Sequence, residues 1–548
     1  MSLSWILLLV LILIQFVSVP PLLTRAGLEG WKGYVPFLNW VVWLKMIQRP
    51  WWWLFLLLVP GVNLIMITIM HVETGIAFGK RSTSEQWFAA VLPWVFLPKL
   101  AFADKKAEFV GPRDWTGKKK SPVREWGEAI VFAIVAASVI RTFFFEAFTI
   151  PTPSMAGSML VGDYLFVSKM SYGAKSPQTP LSIPFVHNTI PGTLIDSYSE
   201  ALSLPYFRLP GFGDVERFDP VVFNFPHGDT IIVDPFLMGH DYYGILIGEA
   251  MYTAGGVEEF RKNQDKFMAI AHDNLARKKV CYSCQRDPNL MSKRVPLQTG
   301  GIKSRPIDKC ENYVKRCIGL PGEDLQIINQ VVHIDGKPIE NPEEVQFSYA
   351  LSLNQRIDEA KLHQVVPFVH SELQGYGANA LSIPLTSGEY NILSKKSFVK
   401  SLEPIVFDSV EFNNMDYFPN TDHPAYNTWT NDFYGPVHIP AKGETIALDE
   451  TNIHLYKRAI RVYEGNDLEL KEGKIFINGQ EAHEYTFTMD YYWMMGDNRH
   501  RSADSRFWGF VPETHVVGKP VFCWMSRMNP NDHGESGFRF ERMFRLVD

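Results

Sequence analysis

The sequence contains none of the short signatures that announce metal or nucleotide chemistry. Its 15 histidines form no HExxH or other ligand spacing, and it has neither a phosphate-binding Walker loop nor a dinucleotide fingerprint. Cysteine is scarce, at five in 548 residues, and no Pro-, Ser- or Gln-rich linker divides the chain into obvious modules. Charged residues make up 20% and hydrophobic residues 46%, which excludes a mainly disordered chain. A mean hydropathy of −0.06 excludes a membrane bundle throughout. An excess of positive charge is also missing, since the net charge is −6. That charge is unevenly distributed: residues 1–127 carry 14 basic and 7 acidic side chains, and the acidic excess lies beyond them. A general nucleic-acid binder is therefore excluded, and an anchored soluble domain is the class that remains. The length predicts three or four structural units at about 150 residues each.

Long apolar runs are present, and all lie in the first 148 residues. Leu3–Leu23 has no charge and the roughly 20 residues that a spanning helix needs. It lacks the basic start and small-residue cleavage site of a removed leader, so it reads as a retained anchor. Trp51–Val72 is a second candidate, with a tryptophan cluster suited to the headgroup level and a kink expected at Pro60-Gly61. Gln86–Phe102 is short, holds two prolines and reads as the weakest span or a re-entrant segment. Glu128–Phe148 is the fourth, with Arg141 and Glu146 expected near an end or in a protein interface. Loops 25–50 and 103–127 are rich in Lys and Arg, which favours the cytoplasmic side. Four spans satisfy these loops and place everything beyond about residue 148 outside the cytoplasm. The expected division is a membrane region over 1–127, an anchor over 128–148 and an extracytoplasmic domain over 149–548.

Beyond residue 148 the pattern becomes β-rich. Tyr164–Ser168, Pro220–Phe225, Thr230–Val233, Val331–Ile334 and Lys474–Ile477 are strand-like, and Asp335-Gly336 and Asn478-Gly479 are hairpin turns. Glu249–Ala276 is the one helix-like stretch of any length. Residues 313–336 and 456–479 share Lys-Arg-small-Ile, Gly-x-Asp-Leu and a hairpin Gly. Two hairpins with similar strands explain this, or a partial duplication that would make Lys315 and Lys457 equivalent.

Chemistry concentrates in three segments: IPTPSMAGSMLVGDYLFVSKMSYG (150–173), YVKRCIGLPGED (313–324) and MMGDNRHRSADSRFWGFVPETHVVGK (494–519). Prolines 151 and 153 fix the backbone around Ser154, close after the last apolar run. In this order the segments resemble bacterial signal peptidase I, the last two with high specificity, and RFDPVVFNFPHGD (217–229) resembles the intervening strand more loosely. The resemblance implies a mainly β domain of coiled, partly closed sheets behind transmembrane helices. It also implies a membrane-anchored serine endopeptidase of the bacterial cytoplasmic membrane, with its catalytic domain on the periplasmic side.

By the same match Ser154 is the nucleophile and Lys315 the general base. An ordinary lysine, pKa about 10.4, is protonated at neutral pH, but burial among apolar neighbours such as Val314, Cys317 and Ile318 disfavours the ammonium and frees the amine to take a proton. The Ser154 N–H and Thr152 hydroxyl match the oxyanion donors. Ser502 matches a serine that hydrogen-bonds the base, Asp497, Asp504 and Arg506 match polar residues bracing the site, and Met155 packs beside the lysine. The implied partners are signal peptides with small residues before the scissile bond, the lipid bilayer and the translocation machinery. No cofactor, metal or nucleic acid is implied. The chain departs from the family at Gly157-Ser158, where Pro-Thr is usual, and at Asp219-Pro220, which puts the aspartate one place early. Insertions of about 230–310 and 340–450 are large for the family.

Two other classes compete. A catalytically idle relative would bind exported chains or translocation components through the insertions. A zinc hydrolase would use Cys281-x-x-Cys284 with Cys310, although no second pair completes a zinc site. A disulfide between two of these three is the alternative on an oxidising side of the membrane. Cys317 and Cys523 read as buried thiols, and His500 as a loop residue rather than a base.

Overall fold

The computed structural model describes residues 3–113, 121–228 apart from 192 and 194, 230–233, 241–276, 301–408 apart from 356, 367, 369–372 and 378, 417–528 apart from 472, and 536–547. Cys281 and Cys284 lie outside the described residues. The chain forms two compact units, Met1–Phe144 with Lys175–Leu209, and Phe145–Ala174 with Pro210–Asp548.

The first unit is helical. Leu3–Arg25 is a helix, as the apolar run predicts. The expected span 51–72 is two pieces, Trp53–Leu56 and Val62–Ala77, because Gly61 at φ +73° turns the chain between them. Segment 86–102 is a bent pair, Thr83–Val91 and Pro93–Ala103, turning by 110° at the proline. Among the described residues one continuous helix, Pro122–Phe143, is long and apolar enough to cross a membrane, and the bent pair adds a second if it counts as one span. Ser121 caps this helix through its hydroxyl, Pro122 occupies the first turn, and only Ser138 is buried. The predicted fourth span is thereby corrected. Its helix starts earlier and ends at Phe143, and Phe145–Thr149 is already a strand in which Glu146 pairs with Lys169 at 2.8 Å. Residues 175–209 group with these helices: the Asn63 amide donates to Pro180 O at 2.8 Å, and a Cβ on Gly61 would lie 2.6 Å from the Pro184 ring.

The second unit is mainly β. Its main sheet runs Phe145–Thr149, Asp163–Ser168, Val516–Met528, Pro220–Asn224, Asn312–Gly319, Tyr491–Met495, Val511–Pro512, with two short strands added on Val516–Met528. Every pairing in it is antiparallel, and register shifts within several of them bend and coil the sheet. A second sheet, Phe433–His438, Asp324–Ile328, Val331–Ile334 and Lys337–Pro338, shares with it a core that includes Ile318, Leu325, Val332, Tyr434 and Trp493. Asp335-Gly336 and Asn478-Gly479 both have positive φ at each residue, the conformation their sequences predict.

The insertions build small bodies of their own. Glu249–Ala276 is three helices rather than one, Tyr242–Ala254, Val257–Lys262 and Gln264–Ala276: Gly255 and Gly256, at φ of +78° and +147°, make the first break, and Asn263, outside the helical region, makes the second. Residues 346–404 carry a four-stranded antiparallel sheet around Leu351, Ile383 and Leu385. The internal repeat holds only in its second half. Residues 324–334 and 468–477 are both hairpins, but Lys315 stands on a strand and Lys457 on the helix Ile453–Arg458. The two lysines are not equivalent.

Candidate active site

The strand Asn312–Gly319 lies between two neighbours, with Lys315 opposite Val221 and Arg316 opposite Met495. This central position explains why Lys315 is only 2% exposed. Its Nζ lies 2.5 Å from Ser154 Oγ. Ser154 sits in the single helical turn Pro153–Met155, which follows directly on the first strand of the sheet, and is 9% exposed. Two residues 161 apart in sequence are therefore joined, as the motifs predict.

Burial lowers the Lys315 ammonium to about 8. Asp504 and Asp497 pull in the opposite direction, and Arg506 assists the lowering. Desolvation outweighs the two carboxylates because each already has a cation of its own. Arg316 holds Asp497 through two hydrogen bonds, Nε at 2.7 Å and Nη2 at 2.8 Å. Arg506 holds Asp504 the same way, at 2.9 and 2.8 Å. Burial alone would raise the Asp504 carboxyl, but Arg506 overrides it and the pKa stays below the ordinary value.

The loop 496–502 closes over Ser154. A Cβ on Gly496 would sit 2.2 Å from Ser502 Oγ and 2.5 Å from Ser154 O, so no larger residue fits there. The Gly496 N–H donates to Asp504 at 3.1 Å, the Asn498 N–H to Ser154 O at 3.2 Å, and the Asn498 amide to Pro153 O at 3.4 Å. Thr152 Oγ1 lies 3.4 Å from Ser154 Oγ. Met155 is fully buried with Ile150, Met159 and Leu165, and Val314 packs on that cluster.

One expected contact is absent. The Ser502 hydroxyl donates to Ala503 O at 3.4 Å and makes no hydrogen bond to Lys315, because the hydroxyl turns to the adjacent carbonyl. The departure at Gly157-Ser158 is chemically closed. Gly157 has φ +102°, which proline cannot adopt, and a Cβ there would lie 2.1 Å from Glu344 O; Ser158 donates to Asp497 at 2.6 Å. Asp219 accepts hydrogen bonds from Tyr172 at 2.8 Å and from Lys519, away from the dyad. Cys317 and Cys523 are buried thiols, as expected. His500 is a buried structural residue: the Ser348 N–H donates to its Nδ1 at 3.2 Å, which leaves the hydrogen on Nε2 to donate to Asp432 at 2.8 Å. Sequence reading missed Asn498 and Arg316 as members of the site. Both lie inside quoted motifs, but their roles depend on partners far away in sequence. Among the described residues no group of three or more His, Cys, Asp or Glu could hold a metal ion.

Comparison with known proteins agrees with this arrangement. The family model for signal peptidase, peptidase S26, matches residues 123–399 and 482–525. A family of unknown function, DUF5684, matches residues 31–112 in the helical unit. A signal peptidase I of Haemophilus influenzae is 45% identical over 69 residues, 13% of this chain and 20% of that protein. A signal peptidase I of Buchnera aphidicola subsp. Baizongia pistaciae is 21% identical over 416 residues, 75% of this chain and 79% of the relative, and one of Rickettsia massiliae is 24% identical over 409 residues, 74% and 81%. The match covers more than half of the chain, including both strands that flank Lys315 in the sheet and the loop over Ser154, so this chain belongs to the signal peptidase S26 family.

Proposed function

We propose that this protein is a signal peptidase I, a serine endopeptidase that removes N-terminal signal peptides from exported preproteins with Ser154 as nucleophile and Lys315 as base. The observation that carries the assignment is the 2.5 Å separation of Lys315 Nζ and Ser154 Oγ inside an apolar sheet. The neutral amine takes the hydroxyl proton while Oγ bonds to the scissile carbonyl carbon. The oxygen that becomes negative is met by the Ser154 N–H and the Thr152 hydroxyl. Collapse breaks the C–N bond, and Lys315 gives its proton to the departing amine of the mature chain. Water then attacks the ester while giving a proton to Lys315, the bond from the acyl carbon to Ser154 Oγ breaks as Lys315 returns that proton to Oγ, and the signal peptide leaves with a new carboxylate. Small residues, typically Ala, at the first and third positions before the cut suit shallow pockets that exclude bulk.

The apolar exposed helix Pro122–Phe143 supports a membrane anchor immediately before this domain. The cytoplasmic-membrane location, further spans in the helical unit, a periplasmic active site and contact with the translocation machinery extend that reading from the charge pattern of the loops.

Detergent-solubilised protein is expected to cut a precursor carrying an Ala-x-Ala site, and Ser154→Ala is expected to leave it intact. An intact precursor with the unmodified protein would make the chain an idle relative. Because Lys315 acts as the free amine, kcat/KM rises about tenfold per pH unit below 8 and levels off above it, in the sense expected of a lowered base. A profile flat from pH 6 to 9 would remove Lys315 as the titrating base. Thr152→Val keeps the shape and removes one oxyanion donor, so kcat falls by about 10²-fold with KM little changed. Equal loss in KM alone would make Thr152 a binding residue only.

A further inference from the structure

Lys457, on the helix Ile453–Arg458, lines a cavity of about 370 Å³ in the β-rich unit. The helices of the first insertion contribute Ile247, the segment before the active-site loop contributes Phe418, and the hairpin strand contributes Leu468 and Leu470. The size falls within the range of small-molecule sites, and apolar surface dominates the walls. Four basic side chains line it, His454, Lys457, Arg458 and the solvent-exposed Arg461. Among the described residues neither Lys457 nor Arg461 pairs with a carboxylate, and the buried Nδ1 of His454 has no hydrogen-bond partner. The neighbouring Arg458 is already engaged, by Asp241 at 2.9 Å, by Trp508 O at 2.8 Å and by the Tyr243 ring. Burial and the adjacent cations lower both the Lys457 ammonium and the His454 imidazole, the second to about 4. Lys457 and His454, partly buried against this apolar wall with only Asp422 acting on His454 from the acidic side, are disfavoured as cations unless an anion joins them.

We propose that this cavity binds an aliphatic carboxylate, its carboxyl group held by Lys457, Arg461 and the His454 ring nitrogen and its chain lying against Phe418, Leu468 and Leu470. A free inorganic anion would leave the apolar wall uncovered, and a neutral aliphatic chain would leave the cations unmatched. The site does not depend on the peptidase assignment and can be tested in the Ser154→Ala protein.

The test is titration of the full chain in uncharged detergent with hexanoate labelled at its carboxyl carbon, alongside hexanol and inorganic phosphate. Hexanoate is expected to bind saturably and at least tenfold more tightly than either comparison. Lys457→Met and Arg461→Gln are each expected to weaken it at least tenfold. Leu470→Trp fills the apolar end from an exposed position and is expected to abolish binding without touching a cation. Hexanol binding as tightly as hexanoate, phosphate binding as tightly, an unchanged Kd in Lys457→Met, or no saturable binding in the wild type would each overturn the proposal.

Discussion

Lys315→Ala is expected to reduce precursor cleavage by about 10⁴-fold or more while leaving the protein folded. Positioned general bases contribute 10²–10⁴-fold, and residues acting as a unit with a nucleophile lose more than that when one is deleted. Here the amine is the one base within hydrogen-bond distance of Ser154 Oγ among the described residues. The same position also predicts a gain. Lys315 titrates near 8 in the folded chain against about 10.4 when unfolded, so below pH 8 folding must bury a charged ammonium. Between those values the unfolded chain holds the extra proton, and stability rises with pH as the cost is relieved. An apolar replacement of similar shape, Lys315→Met, should therefore be more stable at pH 7, by on the order of 3 kcal/mol, and the advantage should disappear by pH 11. Denaturant melts at the two pH values measure it. Cleavage that survives Lys315→Ala and fails in Lys457→Ala would move the base to the other lysine.

Arg506→Met is expected to cost about 3–5 kcal/mol, because it strands the Asp504 carboxylate in a place with no access to water. Both partners are almost wholly buried, and the two hydrogen bonds of their pair leave little room for relaxation. Activity should change in a specific way beyond the loss of stability. Arg506 favours the neutral amine at Lys315 and Asp504 opposes it, so removing the guanidinium raises the lysine and moves the rising limb of the pH profile upward. Asp504→Asn combined with Arg506→Met removes both charges and should restore much of the stability and return the limb toward its original place. An Arg506→Met protein with unchanged melting would mean that the pair is not needed for packing.

The contact of Lys315 with Ser154 was legible because both residues stand inside long motifs whose spacing tolerates little change. Hairpin turns were legible too, since Asp-Gly and Asn-Gly encode positive φ locally. What escaped was decided by partners distant in the chain. Arg316 reads as a strand residue until Asp497 is found 181 positions away, and Asn498 until it reaches the carbonyl of Ser154. The Ser502 hydroxyl was expected on Lys315 from the motif alone, and a rotation toward Ala503 O is invisible to a pattern of letters. The breaks at Pro60-Gly61 and Leu92-Pro93 were legible as a kink and a re-entrant segment from their prolines, whereas hydropathy alone sums over them as if the chain ran straight. The repeat failed for a related reason: Lys-Arg-small-Ile suits a strand or a helix, and the neighbouring elements choose.

The sheet of residues 346–404 is not a detachable ornament. Its first residue, Gln346, donates its N–H to Asp497 O and accepts from the Arg499 N–H, and Ser348 reaches His500, so one end of the insertion is laced to the backbone that covers Ser154. Trimming it would remove the backbone partners of Asp497, Arg499 and His500 on either side of Asn498, whose N–H meets the Ser154 carbonyl.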